Sequence, residues 1–362
     1  MRRTWVERGG KLLVYGDRRQ GKTAALEAAA EQAKAAGRKA VVFSLATAIG
    51  PEDAVQRLVR SVQRTIGRSW KTIVQDMAAK LRFTVTISPG NAPGGMPTFN
   101  LGLEPGAAAT DSRLFTDALD TIEEELARRR LRLGLGIDEF QRLLKWGGED
   151  IEWALKAAFE KHTQLSYVLA GSATTLIEEM VSHKNRALWK TVETMRLGPI
   201  EPDEFSEWIV TRARSTEAPL AKMVATRIIA LVGPRTRDVI VLAAATWEDA
   251  RANGGSGDPE RALANHVAKT ADLHGRIWGQ RTDRERRLLR MLAVNPNVEP
   301  TAEAVRRRFG LGASSTVTKA LGVLVAKEVL ARDGRKFVFD DPFFQAWVAR
   351  STGDDVRPFA PS

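Results

Sequence analysis

Two short stretches of this sequence hold residue types at spacings suited to phosphate chemistry. The first is Gly16-Asp17-Arg18-Arg19-Gln20-Gly21-Lys22-Thr23, which fits G-x-x-x-x-G-K-[ST] and runs on into Ala24. Its glycines let the backbone curl so that N–H groups face a β-phosphate, and a helix starting there adds a favourable dipole for the anion. In such a loop Lys22 reaches the β- and γ-phosphates and Thr23 offers its hydroxyl to Mg²⁺. The second stretch is Asp138-Glu139, directly after the apolar run 131–137. Ligand sites in open α/β sheets lie at the C-terminal ends of the strands, so both carboxylates are expected beside the loop. Asp138 then completes the Mg²⁺ shell, and Glu139 polarises the attacking water. An isolated Asp-Glu pair would read only as a solvated helix start.

Three further side chains are candidates. Ser172 follows the apolar run 166–170 and can reach a γ-phosphate or the water from that strand's end; its plainer reading is a helix N-cap. Arg235, after Gly233-Pro234 in a helical region, could report the γ-phosphate, with Arg237 as a rival. Arg186 could act as an arginine finger across a subunit interface. For both arginines the plainer reading is a surface charge.

The elements that must position these groups alternate strand and helix over the first two hundred residues, the pattern of an α/β fold with a parallel sheet. Strands are expected at 11–15, 40–45, 131–137, 165–170 and 194–197, and helices at 22–36, capped by Gly37, and at 51–66. Residues 82–104 differ. Phe83 to Ile87 alternates with period two, a Pro/Gly-rich stretch follows, and 98–103 is extended again, which predicts an inserted β-hairpin. From 201 onward the periodicity is helical, with helices expected at 202–214, 218–231, 237–251 and 259–277, the last opened by Asp258-Pro259. Helices at 282–293, 301–309 and 314–328 precede a hairpin at 329–339 turning on Asp333-Gly334. Three helices and a hairpin are the winged-helix order. The expected organisation is a P-loop core over 1–200, an all-helical lid over 201–279, a winged helix over 280–350 and a tail at 351–362.

Composition bounds the rest. The 362 residues exceed what one hydrophobic core usually organises. No apolar run approaches the ~18–20 residues of a membrane span, so no membrane association is expected, and the basic start has no apolar core behind it, so no secretory signal is expected. Cysteine is absent, which excludes disulfides, thiolate zinc sites and cysteine nucleophiles and makes the cytoplasm the expected compartment. A net charge of +11 favours a polyanionic partner, nucleic acid first. An Arg-rich, Ala-rich coding background is the plainer source of that charge.

The strand and GDRRQGKT loop, GIDEFQ at 136–141, LSYVLAGSATTLIEEM at 165–180 and LWKTVETMRLGPIEPDEF at 188–205 together resemble the archaeal-type ATPases, also widespread in bacteria, of the AAA+/STAND group related to origin-recognition ATPases. Asp341-Pro342-Phe343-Phe344-Gln345-Ala346-Trp347 resembles the ending that follows the winged helix in that family. The likeness spans about residues 10–350. It implies a five-stranded parallel core, a helical lid, a winged helix, ATP as the nucleotide and a possible ATP-dependent homo-oligomer, but no particular process. Family members usually carry a helix and a nucleotide-contact motif well before the loop. Only fifteen residues precede Gly16 here, so either a shortened adenine pocket or a late start is expected.

Residues 281–350 carry 14 Lys and Arg against 8 Asp and Glu, net +6. Ser314, Ser315, Thr316 and Thr318 at the start of the third helix could enter a major groove, with Lys319 on phosphate and Arg332, Arg335 and Lys336 on the wing. Arg306 to Arg308 add charge nearby. Double-stranded DNA is thus one expected partner; a protein-contacting or autoinhibitory winged helix is the other. The corresponding functions are a DNA-coupled ATPase, a nucleotide-dependent signalling or defence switch, and an ATP-responsive transcription regulator.

Overall fold

The computed structural model describes residues 10–66, 83–88, 98–103, 113–172, 175–253, 255, 257–334 and 336–351. The chain divides into two compact units, residues 1–198 and 199–362.

The first unit opens with β1 (Lys11–Gly16), α1 (Lys22–Ala35), β2 (Lys39–Ser44) and α2 (Pro51–Ile66). The antiparallel hairpin β3 (Phe83–Ser88) and β4 (Thr98–Leu103) follows, with Phe83 opposite Leu103, where the period-two pattern predicts it. Then come α3 (Leu114–Arg128), β5 (Leu133–Asp138), α4 (Gln141–Lys161), β6 (Leu165–Ser172), α5 (Thr175–Ser182) and β7 (Glu193–Arg196). Five strands form one parallel sheet in the order β2-β5-β6-β1-β7.

Every residue of β5 and β6 is buried, as strands covered on both faces must be. Alternation within the strands divides the apolar residues between two layers. Leu13, Leu135, Ile137 and Leu169 join Val55, Leu58, Phe115, Ile122, Leu155 and Phe159 from α2, α3 and α4 on one face. Leu12, Val14, Val168 and Ala170 meet Leu26, Ala29, Ala30 and Ala33 of α1 on the other, where alanines let the helix lie close. Gly37, at φ +75, ends α1 as expected.

The N-terminal end of β6 is pinned by α3. The Glu123 carboxylate accepts the backbone N–H groups of Thr163, Gln164 and Leu165. Buried His162 lies between Asp120 (2.7 Å) and the Tyr167 hydroxyl (2.6 Å). The Asp120 carboxylate can only accept, so Nε2 carries the proton and Nδ1 accepts from Tyr167. Burial holds the His162 pKa below its ordinary value and that of Tyr167 well above.

The second unit contains α6 (Pro202–Arg214), α7 (Lys222–Val232), α8 (Thr236–Asn253), α9 (Pro259–Lys269) and α10 (Ala271–Gly279), then α11 (Asp283–Val294), α12 (Glu303–Phe309), α13 (Ser314–Ala326), β8 (Leu330–Asp333), β9 (Lys336–Phe339) and α14 (Pro342–Ser351). Two sequence expectations change. The helix expected at 218–231 starts at Lys222, where extended backbone at Ala221 (φ −75, ψ 154) forms its N-cap. The helix expected at 259–277 is two helices broken at Thr270, whose hydroxyl donates back to the His266 carbonyl at 2.8 Å. The Asp341-Pro342 ending has a mechanical explanation. Asp341 accepts the N–H groups of Phe343 and Phe344 to start α14, Phe343 is buried in the helical core of α6–α9, and Phe344 in the winged-helix core. Trp347 packs against both cores, so α14 joins them into one unit.

Candidate nucleotide site and winged-helix surface

β1 delivers the loop through Gly16, where no larger residue fits. A Cβ there would lie 2.2 Å from the Leu197 carbonyl oxygen, and Leu197 is fixed by its own N–H bond to the Tyr15 carbonyl at 2.7 Å. Arg19 and Gly21 both have left-handed backbone, φ +67 and +84. Such a conformation costs an ordinary residue roughly 1–2 kcal/mol, so Arg19 is held by the closed loop around it. Gly21 caps α1 with no side-chain hydrogen bond, and the first turn of α1 holds no acidic residue. The helix end is thus left without a side-chain cap or an acidic first turn of its own, which suits an anion. Asp17, Arg18, Thr23 and Ala24 are exposed around this end.

Lys22, the first residue of α1, is buried, and its ammonium group donates to the carbonyls of Gly16 (2.9 Å) and Asp17 (2.7 Å). Burial pushes its pKa below the ordinary lysine value; the Glu139 and then the Asp138 carboxylates oppose that shift. Thr23 Oγ1 donates to Asp138 Oδ2 at 2.8 Å, closing a contact between residues 115 apart in sequence. Asp138 is the last residue of β5, buried, and paired in register with Ser44 of β2. A hydroxyl and a carboxylate meeting at one point are hard oxygen donors of the kind Mg²⁺ takes, so the residues present fit that ion.

Glu139 follows with φ +56, a left-handed turn that swings the chain from β5 into α4. The Phe140 N–H bond to the Ala170 carbonyl (2.9 Å) fastens that turn to β6. Gln141, first residue of α4, donates from Nε2 to Glu139 Oε2 at 2.6 Å. Its Oε1 is buried without a hydrogen-bond partner, as is Oε1 of Gln20 inside the loop. Ser172 is the last residue of β6. β6 continues two residues beyond the expected end at Ala170, and buried Ser172 pairs in register with Gly16. The structure thus brings the loop, the carboxylates that end β5 and the end of β6 to the C-terminal end of the sheet's three inner strands. Sequence reading took Gln20 only as one position of the phosphate loop and Gln141 only as a family detail. The available signal was an amide next to Gly21 and another two residues after Glu139.

The two candidate arginines each have partners within their own unit. The Arg186 guanidinium binds Glu152 of α4, with Nε 2.9 Å from Oε2. Glu152 is 1% exposed and also accepts the Leu188 N–H, so Arg186 neutralises a buried carboxylate within its own unit. Arg235, just before α8, donates to the backbone carbonyls of Phe339 and Asp340 and lies 3.7 Å from the Asp340 carboxylate.

In the winged helix, Ser314, Ser315, Thr318 and Lys319 are exposed on the first turns of α13 and Thr316 is half-buried, while Val317, Ala320, Leu321 and Leu324 face the core. Thr318 donates back to the Ser314 carbonyl at 3.0 Å. On the wing, Arg332 lies over the Phe337 ring at 5.4 Å and Lys336 donates to Asn297 at 2.9 Å. Arg335 lies outside the described residues. Among the described residues no single helix is long and apolar enough to cross a membrane.

The family model described as "Probable winged helix domain" matches residues 273–350. Comparison with curated proteins found no match. Among solved structures, the chain is similar to a Walker-type ATPase of Pyrococcus abyssi, with 18% identity over 94% of this chain and 91% of the other at a TM-score of 0.57. It is also similar to the ORC2 protein of Aeropyrum pernix, solved as ADPNP–ADP complexes, with 14% identity over 95% and 89% and a TM-score of 0.55. Over nearly its whole length the chain therefore has the α/β Walker-type ATPase fold seen in archaeal origin-recognition proteins, with a parallel five-stranded sheet, and it ends in a winged-helix domain.

Proposed function

We propose that this chain binds Mg²⁺-ATP at residues 16–24 and hydrolyses it, and that its nucleotide state controls double-stranded DNA binding by the winged helix. The observation that carries the reading is the Thr23–Asp138 contact beside the buried Lys22, which joins the two sequence motifs at the strand ends. Backbone N–H groups of residues 18–24 and the α1 dipole hold the phosphates, and Lys22 exchanges its loop carbonyls for β- and γ-phosphate oxygens. Thr23 and Asp138 hold Mg²⁺, which neutralises charge on the phosphates when bound. Glu139 accepts a proton of the attacking water and orients it toward the γ-phosphorus, and Ser172, across from Gly16, faces the same end of the sheet. Phosphoryl transfer needs mainly such positioning and charge stabilisation.

Residues 201–279 serve as the helical region that responds to nucleotide and 280–350 as the DNA-contacting module. Arg235 is the γ-phosphate reporter in this reading. Its present bonds to the residues that end β9 link any movement of Arg235 to the wing. The DNA surface is the exposed start of α13 with Lys319, flanked by Arg332, Arg335 and Lys336, and the +6 charge of residues 281–350 supports it. Arg186 is paired with Glu152, and a finger role across a subunit interface would need it to give up that bond. The test is ATP turnover by purified protein with and without duplex DNA at low and moderate salt, beside Glu139→Gln. DNA-stimulated turnover that the substitution abolishes supports the coupling. ATP binding with slow turnover and no DNA response points instead to a switch whose winged helix contacts protein.

A further inference from the structure

We infer that Gln141 is a positioning residue for Glu139, setting where the carboxylate stands at the γ-phosphate end of the site. The inference rests on the proposed role of Glu139 and adds the residue through which that role is controlled. Three observations converge on it. Gln141 Nε2 donates to Glu139 Oε2 at 2.6 Å, and Glu139 itself sits in left-handed backbone at φ +56, so the backbone is held in an unusual conformation and the carboxylate is held by the amide. The other end of the amide, Oε1, is buried without a hydrogen-bond partner. Finally, that oxygen occupies the space beside Gly171, where an added Cβ would meet it at 2.8 Å.

The amide cannot be turned to cure the orphan oxygen. Exchanging its ends would set a carbonyl oxygen against the Glu139 carboxylate and leave two acceptors facing each other. The orientation is therefore dictated by Glu139, and Oε1 remains unsatisfied as a consequence. A buried acceptor left unmade costs about 1–3 kcal/mol, so nothing in the packing alone favours a glutamine here over an apolar residue of similar size. Its one hydrogen bond goes to the carboxylate, and that bond is what the site gains from it. Gly171 then has a reason of its own. It leaves room for the Gln141 carbonyl at the end of β6, next to Ser172. Gln141 touches Glu139 and acts through it.

The test is a pair of double-mutant cycles read by turnover at saturating ATP, with nucleotide affinity measured separately by equilibrium binding of a non-hydrolysable ATP analogue. Gln141→Ala is expected to lower kcat by about tenfold or more while the analogue binds within about twofold of wild type. In a Glu139→Gln background, where single-turnover assays reach the residual rate, the same substitution should have almost no further effect. Gly171→Ala, which pushes on Gln141 Oε1 without touching Glu139, should lower kcat by a smaller factor, again only when Glu139 is intact. Equal losses in both backgrounds, or weakened analogue binding together with a lower Tm, would mean that Gln141 merely supports the fold, and unchanged kcat in Gln141→Ala would overturn the inference outright. Wild-type turnover by Glu139→Gln would instead remove the underlying catalytic assignment, so the two failures are told apart by which single variant keeps its rate.

Discussion

The nucleotide edge of the first unit and the winged-helix surface of the second are built on opposite principles. At the C-terminal end of the sheet the chemistry-bearing groups are bound to one another, and buried Lys22, Asp138 and Gln141 hold the more open Thr23 and Glu139: Lys22 to the loop carbonyls, Thr23 to Asp138, Glu139 to Gln141. On the winged helix the candidate groups are exposed, and where they are held, it is by their own neighbours, as with Thr318 on Ser314, Arg332 on Phe337 and Lys336 on Asn297. Burying a lysine and two amides is unfavourable unless something is gained, whereas an exposed lysine costs nothing and demands no explanation. A buried polar cluster therefore argues for function by its own energetics. A charged surface argues only through a partner.

The largest expected effects lie where the buried cluster is dismantled. Lys22→Ala should weaken nucleotide binding by more than about a hundredfold, since a charge-assisted phosphate contact is lost from a partly desolvated site. Binding of labelled ATP measures this directly, and affinity close to wild type would break the claim that burial marks function here. Glu139→Gln should bind ATP normally and lose about 10²–10⁴-fold in kcat, the usual contribution of a positioned proton acceptor.

What was legible in the sequence follows the same division. The loop, its flanking strand and helix, and the carboxylate pair are local patterns, and the structure places them at the expected strand ends. The hairpin at Phe83 to Leu103 was legible for the same reason, because period two and a Pro/Gly turn are both short-range. Long-range choices were not. Nothing in the sequence around Arg186 announces a buried Glu152 thirty-four residues earlier, and nothing near Gly233 shows that Arg235 reaches residues beyond β9. The extension of β6 to Ser172 was not legible because it rests on strand pairing with Gly16, a tertiary fact. At Thr270 a helix that its apolar periodicity would continue is broken, with the backbone at φ −103 and ψ 11.

Arg186 offers a test of intermediate size that separates burial for function from burial for stability. Removing one partner of a buried ion pair leaves the other charge uncompensated and typically costs about 3–5 kcal/mol. Arg186→Ala should therefore lower the unfolding midpoint in denaturant, with little change in turnover per folded molecule. A large loss of ATP hydrolysis at unchanged stability would return Arg186 to the catalytic machinery. His162 makes a related prediction in pH. Its pKa is held below the ordinary 6.5, mainly by burial, and Asp120, Glu123, Lys161 and Tyr167 surround it. The unfolded chain then binds the proton more readily than the folded one, so this part of the stability is complete above about pH 6.5 and is lost as pH falls through the folded value. Thermal melts from pH 7.5 to 5 should show a falling Tm, with a shallower fall in His162→Gln; identical slopes would exclude this histidine as the cause. His266 and His274 in the second unit, also lowered by burial, contribute in the same direction, which is why the comparison needs the variant.

The smallest effects are expected on the winged helix, and they bear most directly on whether its surface has a partner. Each phosphate contact adds about 0.9 to the slope of log affinity against log salt, so single surface lysines should matter by severalfold rather than by orders of magnitude. Lys319 is exposed on α13, whereas Lys336 is already hydrogen bonded to Asn297 and must give up that bond to reach a phosphate. Lys319→Ala should therefore weaken duplex DNA binding more than Lys336→Ala and should reduce the salt slope by about one unit, uniformly across sequences. If neither substitution changes the slope, the +6 charge of this region is not a DNA surface, and the winged helix becomes a protein-contacting element of the nucleotide switch.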